Sequence, residues 1–269
     1  MRFSWRRCTE SPIRCGPSFY ALLGPDQKLS PAIVTTREGG SSTCGCDGLN
    51  LSFKVGDNPD NVSRNRKSLM RTLHLLEDEL AWPEQVHGSQ VTVADAPGEY
   101  KGADGLVISM PKLWAAILIA DCVPVLLFND DFSAVGLAHA GRKGTQAGIT
   151  KNLISKMRST FNLSSRDLVV ALGPSIGPCC YELDRITALQ LPESFLVERE
   201  GKLFFDLWSA NAAQAREEGI SEDSIVRPPV CTCCEARTFF SHRAQRGKTG
   251  RQIAVTRPGG IKVCGGLAG

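Results

Sequence analysis

Two residue types in this 269-residue chain, four histidines and eleven cysteines, could hold a borderline or soft metal ion. The histidines at 74, 87, 139 and 242 are few enough to weigh singly. His87 lies in Gln85-Val-His-Gly88, just after Trp82-Pro83, and His139 closes Val135-Gly-Leu-Ala before Ala140-Gly141. Between them, Cys122 sits in Ala120-Asp-Cys-Val-Pro124 at the junction of two apolar runs. Each stands at an element end, where a side chain can project into a cleft. Two imidazoles and a thiolate suit Zn²⁺, and three protein ligands leave a fourth position for water, which marks a catalytic zinc. Such a metal lowers the pKa of its water towards about 7. By spacing alone, a buried thiol and two histidines satisfied in turns is the favoured reading.

Other chemistries lack their patterns. Gly247-Lys248-Thr249 resembles the end of a phosphate-binding loop, but His242 stands where the motif needs glycine. No dinucleotide fingerprint, zincin helix or serine nucleophile elbow is expected. Zinc nucleobase deaminases need H-x-E and P-C-x-x-C, whereas Pro178-Cys179-Cys180 has the wrong spacing.

Composition sets the frame for these residues. The net charge of +3, with 42% hydrophobic and 22% charged residues, describes an ordinary globular chain without the basic block of a nucleic-acid binder. The longest apolar run, Leu113 to Ala120, is far short of the ~18 residues of a membrane span. No apolar stretch follows the basic start Met1 to Cys8, so no secretory signal is expected. Glu10 and Asp26 oppose a transit peptide. An odd number of cysteines without an export signal points to reduced thiols and a cytoplasmic protein.

The elements that must position the candidate ligands follow from periodicity. Residues 1–30 read as a ragged extension, and 31–269 as one domain. Pro31 to Thr36 is the first expected strand, followed by a glycine-rich loop to Gly48. Asp60 is expected to cap a helix whose apolar stripe is Val62, Leu69, Leu73, Leu76 and Leu80. From Val91, strands are expected at 91–95, 105–109, 114–120, 123–128 and 134–139. A helix bears Ile149, Leu153, Ile154, Met157 and Phe161, a strand covers 168–172, a helix spans Asp206 to Glu218, and late strands follow at 225–226 and 252–256. The connections at 120–122 and 129–131 are too short for parallel crossovers, so an α+β fold with mixed sheets is expected.

Several ordered motifs carry a resemblance: Gln85-Val-His-Gly88, Ala103-Asp-Gly-Leu106, Ala120-Asp-Cys-Val-Pro124, Ala138-His-Ala-Gly141, Gly173-Pro-Ser-Ile-Gly-Pro-Cys-Cys-Tyr-Glu182, Phe239-Phe-Ser241 and Thr249-Gly-Arg251. Over about 33–256 the chain resembles the YfiH family, also called laccase-domain or polyphenol-oxidase-like proteins. The resemblance implies zinc on His87, Cys122 and His139. It also implies mixed sheets sandwiched between helices, as in a catalytic domain of cytotoxic necrotizing factors. The implied activity is phosphorolysis of adenosine, inosine and methylthioadenosine, with adenosine deamination. A purine nucleoside and phosphate would then be the partners of a monomer or homodimer, with no nucleic acid or membrane. Four histidines cannot build a multicopper centre, which consumes on the order of ten imidazoles, so copper enters only as an adventitious substitute.

Deamination would need a proton shuttle, for which Asp121 is the candidate, although its side chain could instead orient the ligand shell. Phosphorolysis needs cations that hold and aim phosphate. Arg66, in a family-like Asn-Arg pair, and Arg243 are the candidates, and Asn50 and Gln85 match family positions at the substrate site. Two departures stand out. Arg142 replaces the family's usual tryptophan after His139-Ala-Gly141, and His242-Arg243-Ala244 replaces an aromatic and two arginines. Cys231 and Cys234, spaced C-x-x-C, could join Cys179 and Cys180 in a structural zinc site. Adjacent cysteines rarely present both sulfurs tetrahedrally, however, so packing thiols or an occasional disulfide are the favoured reading. Two rival functions are a zinc amidohydrolase editing a cell-wall amino sugar precursor, and a metal-binding redox or partner module without turnover.

Overall fold

The computed structural model describes residues 3–8, 17–24 and 29–262. Cys15 and Cys264 lie outside them. The strands are Ser4–Cys8 (β1), Phe19–Leu23 (β2), Leu29–Thr35 (β3), Leu80–Pro83 (β4), Val91–Val93 (β5), Gly98–Tyr100 (β6), Gly105–Ile108 (β7), Trp114–Ile119 (β8), Val123–Asn129 (β9), Val135–Ala140 (β10), Leu168–Leu172 (β11), Glu182–Leu183 (β12), Leu196–Arg199 (β13), Lys202–Phe205 (β14), Ile225–Val226 (β15) and Gln252–Lys262 (β16). The helices are Pro59–Leu73 (α1), Arg142–Gln146 (α2), Ile149–Phe161 (α3), Arg185–Ala188 (α4) and Leu207–Glu217 (α5).

Two mixed sheets dominate, one ordered β1-β2-β3-β16-β8-β4-β6 and the other β15-β11-β9-β10-β7-β5. Strand alternation explains how they stack. On β9, Leu126 and Phe128 meet Ala115 and Ile117 of β8 in the core between the sheets. Val123, Val125 and Leu127 point the other way, against Leu153, Ile154 and Met157 of α3 and Ala212 of α5. Trp114 and Ala116 of β8 pack on the opposite side, with Leu69 and Leu73 of α1. The result is helix, sheet, sheet, helix. Strands covered on both faces read as unbroken apolar runs, which is why β8 to β10 were visible in the sequence.

Two expectations are corrected. Residues 3–8 and 17–24 are not ragged: β1 and β2 pair antiparallel and extend the first sheet beyond β3. Here Phe3 and Trp5 join the core between the sheets. The helix expected to run to Leu80 is capped by Asn58 rather than Asp60 and ends at His74, whose left-handed φ of 51° turns the chain out of the helix. Leu76 is left exposed and Leu80 starts β4, so their periodicity with Leu73 is coincidental. His74 is on the surface, as expected.

Candidate metal centre and its cavity

The tripeptide Ala120-Asp121-Cys122 carries the chain from β8 in one sheet to β9 in the other, so Cys122 stands where the sandwich opens at its end. His139 closes β10 opposite Pro124 of β9, and His87 follows β4, which pairs with β8. These elements bring one ligand atom each from His87, Cys122 and His139 within 4.8 Å of one another. The two imidazole rings are 4.8 Å apart and nearly perpendicular. Gly141 makes room for the trio: a Cβ there would lie 2.9 Å from Cys122 Sγ and 3.5 Å from His87 Cδ2.

Asp104, fully buried at the start of β7, organises two of the three ligands. Its carboxylate accepts the backbone N–H groups of Val86, His87 and Gly88 at 3.1, 3.0 and 2.6 Å. This holds a turn in which Gln85 and His87 both adopt a left-handed φ of 62°. Its Oδ1 also lies 3.0 Å from His139 Nδ1, which leaves Nε2 as the ring nitrogen available to a metal. Burial works against the charged forms, but Asp104 and the sulfur of Cys122 hold the His139 imidazolium well above its usual range. Burial likewise pushes the Cys122 thiol up, and His139 and His87 outweigh it, bringing it down to about 6. A thiolate, two imidazoles and a carboxylate that fixes one tautomer are a donor set fitted to zinc.

A cavity of about 650 Å³ opens above the trio. Arg66, Arg243 and Arg251 line it, with Trp82 and Tyr181 as aromatic walls. Arg66 donates from Nε to the Leu51 carbonyl at 2.9 Å and lies over the rings of Phe53 and Trp82. Arg243 donates to the carbonyls of Cys180 and Glu182 at 3.1 and 2.9 Å, and its guanidinium stacks on Tyr181. Arg251 is anchored on the carbonyls of Thr249 and Gly250, each at 2.9 Å. Anchored guanidinium forks present their charge at low entropic cost.

The other expected site residues divide. Gln85 lines the cavity and is pinned by a pair of 2.8 Å hydrogen bonds to the backbone N–H and carbonyl of Leu118. Asp121 also reaches the cavity, but its carboxylate accepts from Thr232 Oγ1 at 2.7 Å and from the Arg243 backbone N–H at 2.9 Å. Asn50 is fully buried and absent from the cavity wall. Its amide ties Ser52, Asp57 and the Arg251 backbone together, so it acts on the cavity through Arg251.

Sequence reasoning gave no role to Asp104, Arg251 or Tyr181, although each stands inside a quoted motif. The signal for Asp104 was an acid flanked by Ala103 and Gly105 at the start of an apolar strand. Gly173-Pro-Ser-Ile-Gly177 does have the spacing of a nucleophile elbow. Ser175 is nevertheless buried, donates to the Gly173 carbonyl and accepts from Trp208 Nε1, so it is a structural hydroxyl.

With this geometry in hand, similarity to known proteins becomes informative. Residues 31–257 match the family described as multi-copper polyphenol oxidoreductase laccase. The chain belongs to this laccase-domain family, to which the YfiH proteins belong. Among its relatives are purine nucleoside phosphorylase YlmD of Geobacillus stearothermophilus, 34% identical over 90% of this chain and 92% of its own, and purine nucleoside phosphorylase YfiH of Escherichia coli, 34% identical over 86% and 94%. The crystal structure of YlmD from Geobacillus stearothermophilus superposes with a TM-score of 0.80 at 32% identity, covering 88% of this chain and 96% of that one. The Bacillus licheniformis YfiH structure gives 0.81 at 30% identity, covering 94% and 98%. The α+β fold with mixed sheets between helices is thus that of the family. No helix among the described residues is long and apolar enough to cross a membrane.

Proposed function

We propose that this chain is a zinc-dependent purine nucleoside phosphorylase acting on adenosine, inosine and methylthioadenosine, and that the same site deaminates adenosine. The observation that carries the reading is one cavity shared by the His87, Cys122 and His139 ligand set and three anchored arginines, in a chain whose relatives are named purine nucleoside phosphorylases. Phosphorolysis breaks the bond between ribose C1′ and purine N9 and forms a bond from C1′ to a phosphate oxygen, while the purine leaves with the electron pair and takes up a proton. Zinc bound by the trio supplies Lewis acidity at the cavity floor.

The protein's own part is positioning. Arg66 spends Nε on Leu51, and its terminal nitrogens carry no hydrogen bond to the described residues, which leaves them for a phosphate oxygen. Arg251 supplies a second charge. Trp82 and Tyr181 wall the space for purine and sugar, excluding water from the leaving base. Asp121 serves as a positioning residue: by holding the Arg243 backbone and Thr232 it fixes the loop that presents the Arg243 guanidinium.

The test follows adenine, inosine and hypoxanthine by chromatography, using zinc-loaded protein and adenosine with and without phosphate, beside Cys122→Ala. Phosphate-dependent adenine that disappears in the variant supports phosphorolysis at this site, and phosphate-independent inosine supports deamination. Neither product from folded, zinc-replete protein overturns the reading.

A further inference from the structure

A second cluster of metal-ligating side chains lies outside this trio. The sulfurs of Cys179, Cys180, Cys231 and Cys234 all fall within 4.8 Å of one another. Cys234 Sγ lies 3.5 Å from Cys179 Sγ and 3.4 Å from Cys180 Sγ. A disulfide needs about 2.05 Å. Four sulfurs at the corners of a tetrahedron around zinc, with bonds of about 2.3 Å, stand about 3.8 Å apart. The two sulfur separations at Cys234 fall a few tenths of an ångström under that value, all four sulfurs lie within 4.8 Å, and every separation is far from the covalent one. We propose that these four cysteines form a closed, tetrathiolate zinc site with a structural role.

The local backbone explains how adjacent cysteines contribute together. Cys180 and Tyr181 both donate their backbone N–H to the Gly177 carbonyl, at 3.0 and 3.1 Å. This tight turn directs both sulfurs to Cys234. Its first residue must be glycine, because a Cβ at Gly177 would meet Trp208 at 2.8 Å and Cys179 Sγ at 3.2 Å. On the facing segment, Cys231 pairs with Ser175 in a parallel bridge and begins a turn in which Glu235 donates to its carbonyl. The Cys231 sulfur accepts the Gly177 N–H at 3.2 Å. Arg199 and Arg243 bond the carbonyls of Pro178 and Cys180 beside the cluster, which suits a site that is doubly negative with zinc bound.

Such a site staples the loop after β11 to the segment before β16. Those two stretches deliver Ile176, Tyr181 and Arg243 to the cavity wall, and Thr232 to Asp121. Zinc here sets the shape of the cavity without touching substrate.

The test is metal content of full-length protein, purified with reductant, loaded with Zn²⁺ and desalted. The expected content is two zinc ions per chain for the wild type, one for Cys122→Ala, one for the double variant Cys231→Ser with Cys234→Ser, and two for the exposed control Cys44→Ser. Should the double variant fail to fold, Co²⁺ loading of Cys122→Ala decides. An absorption spectrum with the near-ultraviolet sulfur-to-cobalt charge transfer and visible d–d bands of a tetrathiolate, altered in the further variant Cys179→Ser, supports the site. A metal-free Cys122→Ala protein, or a disulfide among these four residues in reduced preparations, overturns it. Loss of turnover alone bears on the trio and leaves this count unchanged, so the two readings fail separately.

Discussion

At the cavity floor, Cys122 faces two imidazoles with a buried carboxylate behind them, whereas in the turns at 177–181 and 231–234 four sulfurs face one another with the Gly177 N–H donating to Cys231. Three donors beside a cavity leave room for a reacting ligand, and four donors enclose the ion. The supporting groups differ accordingly. Asp104 selects a histidine tautomer and clamps a left-handed turn, so it tunes a ligand that must stay available. The Gly177 N–H at Cys231 only stabilises negative charge. On the proposed readings, the open set suits turnover and the closed set suits cohesion.

The largest effect that could break this comparison is expected at the open site. Cys122→Ala should reduce product formation to background while leaving the melting temperature nearly unchanged, as followed by circular dichroism. A large drop in melting temperature would make the trio structural as well. Next, Asp104→Asn should weaken zinc binding at the trio roughly 10- to 100-fold, the usual cost of losing an outer carboxylate, measured by competition with a chelator. Unchanged affinity would deny Asp104 its role.

Arg66→Ala should raise the KM for phosphate by roughly tenfold, the order of one charge-assisted hydrogen bond, with kcat less affected. A KM shift for nucleoside alone would reassign Arg66 to the sugar or base. At the closed site, the double variant Cys231→Ser with Cys234→Ser should lower the melting temperature by about 5–10 °C, the reverse of the Cys122→Ala pattern, and change kcat only modestly. Equal losses of activity in both variants would collapse the distinction between the two clusters.

Much of the architecture was legible because local physics and packing agree. The strands β8 to β11 are covered on both faces, so their sequences are apolar without interruption, and α3 carries an unmixed 3.6-residue stripe. The errors came where a local pattern had no long-range partner to test it. Leu76 and Leu80 extend the α1 stripe on paper, but His74 ends the helix in a left-handed cap. Among the first 30 residues, Phe19 to Leu23 is an apolar run bounded by Pro17 and Gly24, but its pairing with β3 is a long-range contact that local reading did not weigh.

The ligand trio was found from residue type and position at strand ends, reinforced by family motifs. The sequence by itself thus determined the layers, the short antiparallel connections and which three scarce side chains, His87, Cys122 and His139, come together as a set that could hold a metal, since these depend on periodicity and on residue types. Only the tertiary structure decided that Asp104 is the common clamp, that Asn50 acts through Arg251 rather than on the cavity, and that Cys179 and Cys180 meet Cys234 across 55 and 54 residues of sequence. Those are contacts between side chains on separate loops, and their geometry is set by how two sheets stack, which no local spacing encodes.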